Sequence, residues 1–499
     1  MSCFLGIDVG TSSLKAMAID ERGNIAGLAS SPYSILCRRN GYAEQEPAIW
    51  WEALKKAVTL VTAQLKGTGK RIAAIGFSGQ MHGTVLLDRE YQVIRPAIIH
   101  CDARTGEEVE EIRAILGSDI ERILMNPIAP GIMLPTLLWL KKRETESLER
   151  AAYALLPKDY LRFRITGEIG TDYSDASATL AFDLRKGKWA EEILEKLKLP
   201  KEIFPPCKDS IQIAGSVTEE AARELGLEQG IPVVLGGGDQ AMQSIGCGAV
   251  TEGEATVNIG SGGQVCVQTD RPEGNIALGL NTFQGYGRER WYVMGATTNS
   301  GSSLKWLNQL LGQTDYEAMN REVEQIRPGC DGLVFLPYLS GERCPRMNAD
   351  ISGVFWGLSF LTDKARMTRA VMEGVAFALY SCLEACEKAG TRIASMTALG
   401  GGSRSGPWLQ MQADIFNREL RTTCHQEQAV FGAAVAAAVG TGHFADVPSA
   451  CREMVRYKDT VIEPDPKIHR LYEEYYSIYK EIYEKGKETL VAVTRLGRR

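Results

Sequence analysis

The chain has 499 residues, 44% hydrophobic and 24% charged, with 56 basic against 62 acidic side chains and a net charge of −6. That length exceeds a single core and predicts two domains, while the mild negative charge argues against a nucleic-acid-binding surface. No apolar run reaches the roughly 18 residues of a membrane helix, the amino terminus lacks a signal-peptide pattern, and the 12 scattered cysteines, without a CxxC pair, predict reduced thiols in a cytoplasmic protein.

An apolar run over residues 3–7 leads into Asp8-Val9-Gly10-Thr11-Ser12-Ser13, and an alternating run over 14–19 leads out. The pattern predicts strand, tight polar turn, strand. Gly10 lets the backbone approach a ligand. The hydroxyls and N–H groups of such a turn can cradle phosphate oxygens, and Asp8 is a candidate Mg²⁺ ligand through water. An ordinary β-hairpin has the same local pattern. Residues 25–35 read as a further strand, and a helix starts near Pro47. Residues 72–77 read as a buried strand that ends in Ser78-Gly79-Gln80-Met81-His82-Gly83, and 84–87 resume as strand. The hydroxyl, amide and imidazole groups of that loop suit hydrogen bonds to a polyol, although a histidine at a strand end is commonly structural. Asp102 and Arg104 suggest a polar pocket lining or a surface ion pair. Residues 105–230 read as helices and short connections. Polar clusters at Pro157-Lys158-Asp159-Tyr160 and Thr171-Asp172-Tyr173-Ser174-Asp175 face a cleft or cap helices.

Residues 231–235 run as a short strand into Gly236-Gly237-Gly238-Asp239-Gln240, and a helix follows. Asp239 falls at or next to the N-cap. The three glycines give a ligand room to approach, and the carboxylate is placed to accept a proton from a substrate hydroxyl. Residues 256–267 repeat the first motif: laying Gly10 on Gly260 sets Asp8 on Asn258 and Thr11 on Ser261. Repetition predicts duplicated architecture, with a nucleotide between two related domains. Only the first copy has a carboxylate, which places the metal there. A helix spans 364–388, a strand 396–399, then Gly400-Gly401-Gly402-Ser403-Arg404-Ser405 opens into a helix from Pro407. This strand–glycine turn–helix layout is common at nucleotide sites. It is neither a P-loop nor GxGxxG, which argues against a dinucleotide dehydrogenase. Residues 431–438 form a small-residue helix suited to close packing, and 472–499 read as an amphipathic surface helix.

These motifs resemble the FGGY carbohydrate kinases of the actin-like ATPase superfamily over roughly residues 4–442, and within that family the xylulokinases. Residues 6–12 resemble the first phosphate motif and 258–263 the second. Residues 399–403, with Trp408, Gln412 and Asp414, resemble the adenosine motif, and 78–83 the xylulokinase sugar loop. Segments 156–162 and 340–343 are similar as well. The resemblance implies an α/β fold of two ribonuclease-H-like (actin-like ATPase) domains, 1–247 and 248–445, with a nucleotide cleft between them and a helical extension over 446–499. It implies transfer of the ATP γ-phosphate to a ketopentose hydroxyl, D-xylulose to D-xylulose 5-phosphate, with Mg²⁺. Asp239 is then the general base. Gln80, Met81 (through its backbone), His82, Asp239 and Gln240 bind the sugar. Gly10, Thr11, Ser12, Lys15, Gly260, Ser261, Gly262, Gly400, Gly401, Gly402 and Ser403 bind ATP, and Asp8 serves the metal. Gln240, His100 and Cys101 depart from the xylulokinase pattern, so another polyol (ribulose, gluconate, glycerol-like) is the alternative acceptor. A non-enzymatic ATP-dependent clamp or sugar sensor is more distant, because it has no need of Asp239. The implied partners are the sugar and ATP, with no nucleic acid and no membrane; the resemblance is compatible with a homodimer.

Overall fold

The computed structural model describes residues 2–497. The chain opens with an antiparallel meander, β1 (Ser2–Val9), β2 (Ser13–Asp20) and β3 (Ile25–Pro32), followed by helix α1 (Pro47–Leu65). β3 stops at Pro32, short of the expected residue 35, because Pro32 lies opposite Ser13, the first residue of its partner β2, and only the turn lies beyond. β4 (Arg71–Gly79) then returns parallel to β1. Further on come helices α2 (Pro157–Thr166) and α3 (Tyr173–Ser177), and strands β5 (Ile213–Ser216), β6 (Pro232–Val234) and β7 (Gly237–Gly238). The sheet order is β5-β6-β4-β1-β2-β3, with β7 also paired to β4. Between residues 105 and 230 the helices are joined by ladders as short as two residues, such as Thr171–Asp172 with Cys207–Lys208. Such ladders are too short to leave a periodic signal.

Helix α4 (Asp239–Gly246) leads to the second copy. Strands β8 (Glu254–Ile259), β9 (Gly263–Thr269), β10 (Asn281–Gln284) and β11 (Trp291–Thr297) precede helix α5 (Lys364–Lys388), strand β12 (Ser395–Gly400) and helix α6 (Gly406–Phe416). The order is β10-β11-β9-β8-β12, with β12 parallel to β8. Each sheet therefore holds the same core: a hairpin, and a later strand returning parallel to the hairpin's first. Helix α7 (Gln428–Gly440) and the long helix α8 (Pro466–Gly497) complete the fold. Along α8, Tyr472, Tyr476, Tyr479 and Tyr483 fall on one helical stripe and are buried against the second core; Tyr472 meets the ring of Phe377 of α5 edge-on, and Tyr476 and Tyr479 meet it at a tilt. The expected amphipathic helix is thus present, with its last two residues, 498 and 499, outside those described.

The two copies exchange helices. α7 follows the second sheet in sequence but packs on the first, where Val430, Phe431, Ala434 and Val435 join Phe4, Met17, Ala74 and Val234 in one core. Its apolar residues lie all round the helix, as a fully buried helix requires. α4 follows the first sheet but hydrogen-bonds to the second: Gln240 accepts from Gln264 at 2.6 Å, and Ser244 from Gln268 at 3.0 Å. The two helices touch backbone to backbone. A Cβ on Gly432 would stand 1.9 Å from the Met242 carbonyl oxygen, and one on Gly246 1.8 Å from that of Gln428. Among the described residues no helix is long and apolar enough to cross a membrane. All 12 cysteines are free, and most of them are buried.

Gly432→Ala is expected to force these helices apart, at a cost of about 1–3 kcal/mol or more, and to lower Tm by roughly 4–10 °C in a scanning melt. Gly406→Ala, whose Cβ would meet nothing within 4 Å, should leave Tm within about 1 °C. Equal melting of the two variants would show that the helix crossing is not close-packed.

Candidate functional site

Three neighbouring strands end at one place. β1, β4 and β7 run parallel, with Ser78 opposite both Asp8 and Gly237. Their carboxyl ends deliver Asp8, Gln80 and Asp239, and the crevice outside such strand ends is where open α/β sheets bind ligands. In the second sheet β8 and β12 set Asn258 opposite Leu399, and the chain enters the glycine turn at Gly400. A cavity of about 240 Å³ lies between the two sets, lined by Asp8, Gly10, Thr11, Lys15, Gln80, Asp239, Gln240, Gln243, Asn258, Gly400 and residues 426–429. A second cavity of about 130 Å³ shares Gly400, Gln426, Glu427 and Gln428 with it and extends over Gly401, Ser403, Arg404, Thr423 and Lys458.

The first turn is closed by the Gly10 N–H donating to the Ser13 carbonyl at 3.1 Å. Gln45 braces it from beneath: its amide donates to the Thr11 carbonyl at 2.8 Å and accepts from Gln80 at 3.0 Å and Trp50 at 3.1 Å. Gln45 thereby ties the phosphate-type turn to the polyol-type loop. Nothing in the sequence marks this role, because a glutamine before a helix carries no signal of being fully buried, as Gln45 is. Lys15 is paired with Glu427 at 2.5 Å, a bridge from β2 to the start of α7. Ser12 is exposed on the first turn, and Gly402 is buried against Ile259. Gly260, Ser261 and Gly262 form the second turn. The carbonyls of Gly260 and Ser261 accept from the N–H groups of Gly301 and Ser300 at 2.9 and 3.0 Å, and this turn lies beside the cavities without lining them.

Three carboxylates line the larger cavity: Glu427, paired with Lys15, and the two buried more deeply, Asp8 and Asp239. Asp8 accepts from the Ser78 hydroxyl at 2.8 Å, and burial raises its pKa. Asp239 is the first residue of α4, immediately after the N-cap Gly238. Burial and then the neighbouring charge of Asp8 push its pKa up to about 7, against the opposing pull of the Gln240 backbone N–H. Gln240 itself turns to Gln264 of the second sheet, and its amide oxygen also accepts from Gln243 of the same helix at 3.3 Å. The three glycines before Asp239, expected to leave room for a ligand, are instead filled by protein. Gly236 has φ +74°, and a Cβ there would stand 2.2 Å from the Phe77 carbonyl oxygen.

In the loop after β4, His82 sits at φ 73°, in the left-handed region. Its Nδ1–H donates to the Ala178 carbonyl at 2.6 Å, so Nε2 carries no proton and is an acceptor. Burial, helped by the charges of His100 and Arg343, takes its pKa down to about 4. The Met81 side chain is buried with Ala178, Cys266, Phe283 and Tyr292, a contact that links the two halves of the chain. Asp102 and Arg104 form a buried pair at 2.7 Å, which also engages Glu44 at 2.8 Å and the Ala43 N–H at 2.6 Å. They fasten two loops together.

Both halves of the chain match known families: residues 3–246 match the FGGY carbohydrate-kinase N-terminal domain, and 255–441 the C-terminal domain. The chain is 37% identical over 485 residues to the xylulose kinase of Staphylococcus epidermidis (strain RP62A), covering 97% of each chain. Among solved structures it is similar to a xyloylose kinase from Brucella ovis (TM-score 0.92, 35% identity, 98% of this chain and 100% of that one). It is similar too to a gluconate kinase from Lactobacillus acidophilus (TM-score 0.92, 27% identity, 98% and 99%). With both domains matched in order and the sheets duplicated as the sequence repeat required, the chain belongs to the FGGY family of carbohydrate kinases.

Proposed function

We propose that the chain transfers the γ-phosphate of ATP to a hydroxyl of a ketopentose, D-xylulose before others, giving D-xylulose 5-phosphate. The observation that carries this reading is Asp239. It is a carboxylate at a strand end, first in its helix, with a pKa near 7 and in one cavity with the Gly10-Thr11 turn. Such a group is matched to take a proton from an attacking hydroxyl at neutral pH. The xylulose kinase names of the relatives support the choice of sugar.

In this reading the acceptor lies against Gln80, His82, the Met81 backbone and Gln240, with its nucleophilic hydroxyl on Asp239. The unprotonated Nε2 of His82 accepts a hydrogen bond from a sugar hydroxyl. The phosphates lie along the turn of Gly10, Thr11 and Ser12 with Lys15 nearby, and against Gly260, Ser261 and Gly262; the nucleoside end lies along Gly400, Gly401, Gly402 and Ser403. Phosphoryl transfer asks the protein mainly for alignment and charge stabilisation. The amino-terminal ends of α4 and α7 flank the cavity and direct partial positive charge towards the phosphates.

The donors fit Mg²⁺. They are hard oxygens, the Asp8 carboxylate and, in the same cavity, the buried Asn258 Oδ1, which has no hydrogen-bond partner. Among the described residues no group of three or more His, Cys, Asp or Glu forms a complete metal cage, which suits an ion held chiefly by water and phosphate. Asp8 would hold it, and the ion would neutralise charge on the phosphates. A second reading, a sugar acid such as gluconate, is favoured by the gluconate kinase likeness and by Gln240, whose amide is drawn to Gln264.

ADP release with Mg²⁺-ATP, comparing D-xylulose with D-ribulose, L-xylulose, glycerol and gluconate, tests the proposal. Selective turnover of D-xylulose is expected; preference for gluconate selects the second reading. Asp239→Asn should lose at least about 10²-fold in kcat while calorimetry still detects sugar and ATP binding, and near-normal turnover in that variant overturns the base assignment. Because the pKa of His82 is lowered to about 4, it is neutral at every pH above that, and its Nε2 remains an acceptor. Sugar affinity measured by calorimetry in Asp239→Asn, where the titration of Asp239 is removed, should therefore be flat from about pH 6 to 8, and His82→Ala should raise the KM for the sugar without changing the KM for ATP. Affinity in Asp239→Asn that weakens between about pH 7 and 6, and no longer does so once His82→Ala is added, would assign the loop a titrating histidine instead.

A further inference from the structure

A buried ion cluster lies directly beneath the strand ends that carry Asp239 and the loop over residues 80–82. Lys158, in the first turn of α2, is fully buried and paired with three fully buried aspartates: Asp159 at 2.7 Å, Asp172 at 3.0 Å and Asp175 at 3.2 Å. Arg162, one turn on, adds a second cation 3.6 Å from Asp159 and donates to the Glu168 and Gly170 carbonyls. Burying this many charges is poor value for stability, since well-packed apolar residues often do as well or better. The hydrogen bonds of the cluster show what it does instead.

They form a chain of fixed polarity. Asp172 Oδ2 accepts from the Ser174 N–H at 2.8 Å, the Ser174 hydroxyl at 2.5 Å and the Ser210 hydroxyl at 2.8 Å. A hydroxyl has one proton. With that proton given to Asp172, the Ser174 oxygen can only accept, and it accepts from the Gly238 N–H at 2.9 Å. Gly238 is the N-cap of α4 and the residue before Asp239. The approach is close: a Cβ on Gly238 would stand 2.9 Å from Met81 Cγ and 3.1 Å from Asp175 Oδ1, and one on Gly79 2.9 Å from Lys158 Cβ. Gly237, whose Cβ would stand 2.9 Å from Ser174 Oγ, and Gly238 therefore serve contact with this cluster and its serines.

We infer that Ser174, oriented by Asp172 and Lys158, is a positioning residue that sets the backbone of Gly238 and thereby aims the Asp239 carboxylate at the acceptor hydroxyl. The inference rests on the reading of Asp239 as general base. Ser210 is a built-in control: it gives Asp172 the same hydrogen bond but has no hydrogen bond to Gly238.

The test compares Ser174→Ala, Ser210→Ala and Asp239→Asn in the full-length protein, by melting temperature and by steady-state ADP release with D-xylulose and ATP. Both serine variants should melt lower by similar amounts. Ser174→Ala should lose about 10- to 100-fold in kcat with the KM for ATP unchanged, while Ser210→Ala keeps kcat within about twofold. Ser174→Cys, of similar volume but a poor hydrogen-bonding partner, carries the same test should Ser174→Ala not fold. Equal kcat losses at Ser174 and Ser210, or none at Ser174, overturn the positioning role. If Asp239→Asn is inactive in that case, the base reading stands and only the inference falls. If Asp239→Asn remains active, both fall.

Discussion

The backbone contact between α4 and α7 is the constraint on which the rest of the architecture depends. At Gly246 and Gly432 each helix presses a glycine onto the main chain of the other, so their relative position is set by covalent geometry and not by adjustable side chains. Each helix also belongs in sequence to one sheet and packs on, or bonds to, the other. The crossing therefore fixes the first sheet against the second. It also fixes what the helices begin with: Asp239 opens α4, and Glu427 immediately precedes α7. The proposed role of Asp239 as a base calls for such a rigid origin.

Two electrostatic regimes meet above that crossing. The cavity holds Asp8 and Asp239, each half-buried and each raised in pKa by desolvation. Beneath it, out of reach of solvent, Lys158 and Arg162 are matched with three aspartates. The upper pair is incompletely compensated, which suits a place where cations and phosphates are to be exchanged. The lower group is nearly neutral and closed, which suits a support that should not respond to what binds above it.

Much of the fold was legible because its signals are local. The repeated strand–turn–strand, the helix over residues 364–388 and the small-residue helix near 431–438 all follow from period, glycine placement and composition. Asp8, Gly10, Thr11, Gln80, Asp239 and Gly400 were identified from short motifs, and the structure brings them to one cavity. What could not be read is long-range. Nothing at Gln45 says that its amide joins two loops, and nothing at Ser174 says that it meets Gly238 across 64 residues of chain. The glycines at 236–238 were assigned to a ligand because from sequence alone a close approach has no identified partner. The exchange of α4 and α7 between the sheets was equally invisible, since hydrophobicity marks a helix as buried without naming the surface that buries it.

The exchange also shapes how the protein must be made. The strands of the first sheet have all been synthesised once Gly238 is added, but the helix that covers one of its faces ends at Gly440. At ribosomal speeds of about 5–20 residues per second, the interval is roughly 10–40 s. Throughout it Phe4, Met17, Ile19, Ala74 and Val234 lack most of the core that will enclose them. The nascent amino-terminal half is thus a template without its cover, and its dwell in that state is written into the order of the elements. An exposed apolar face of this kind is open to aggregation until the covering helix arrives.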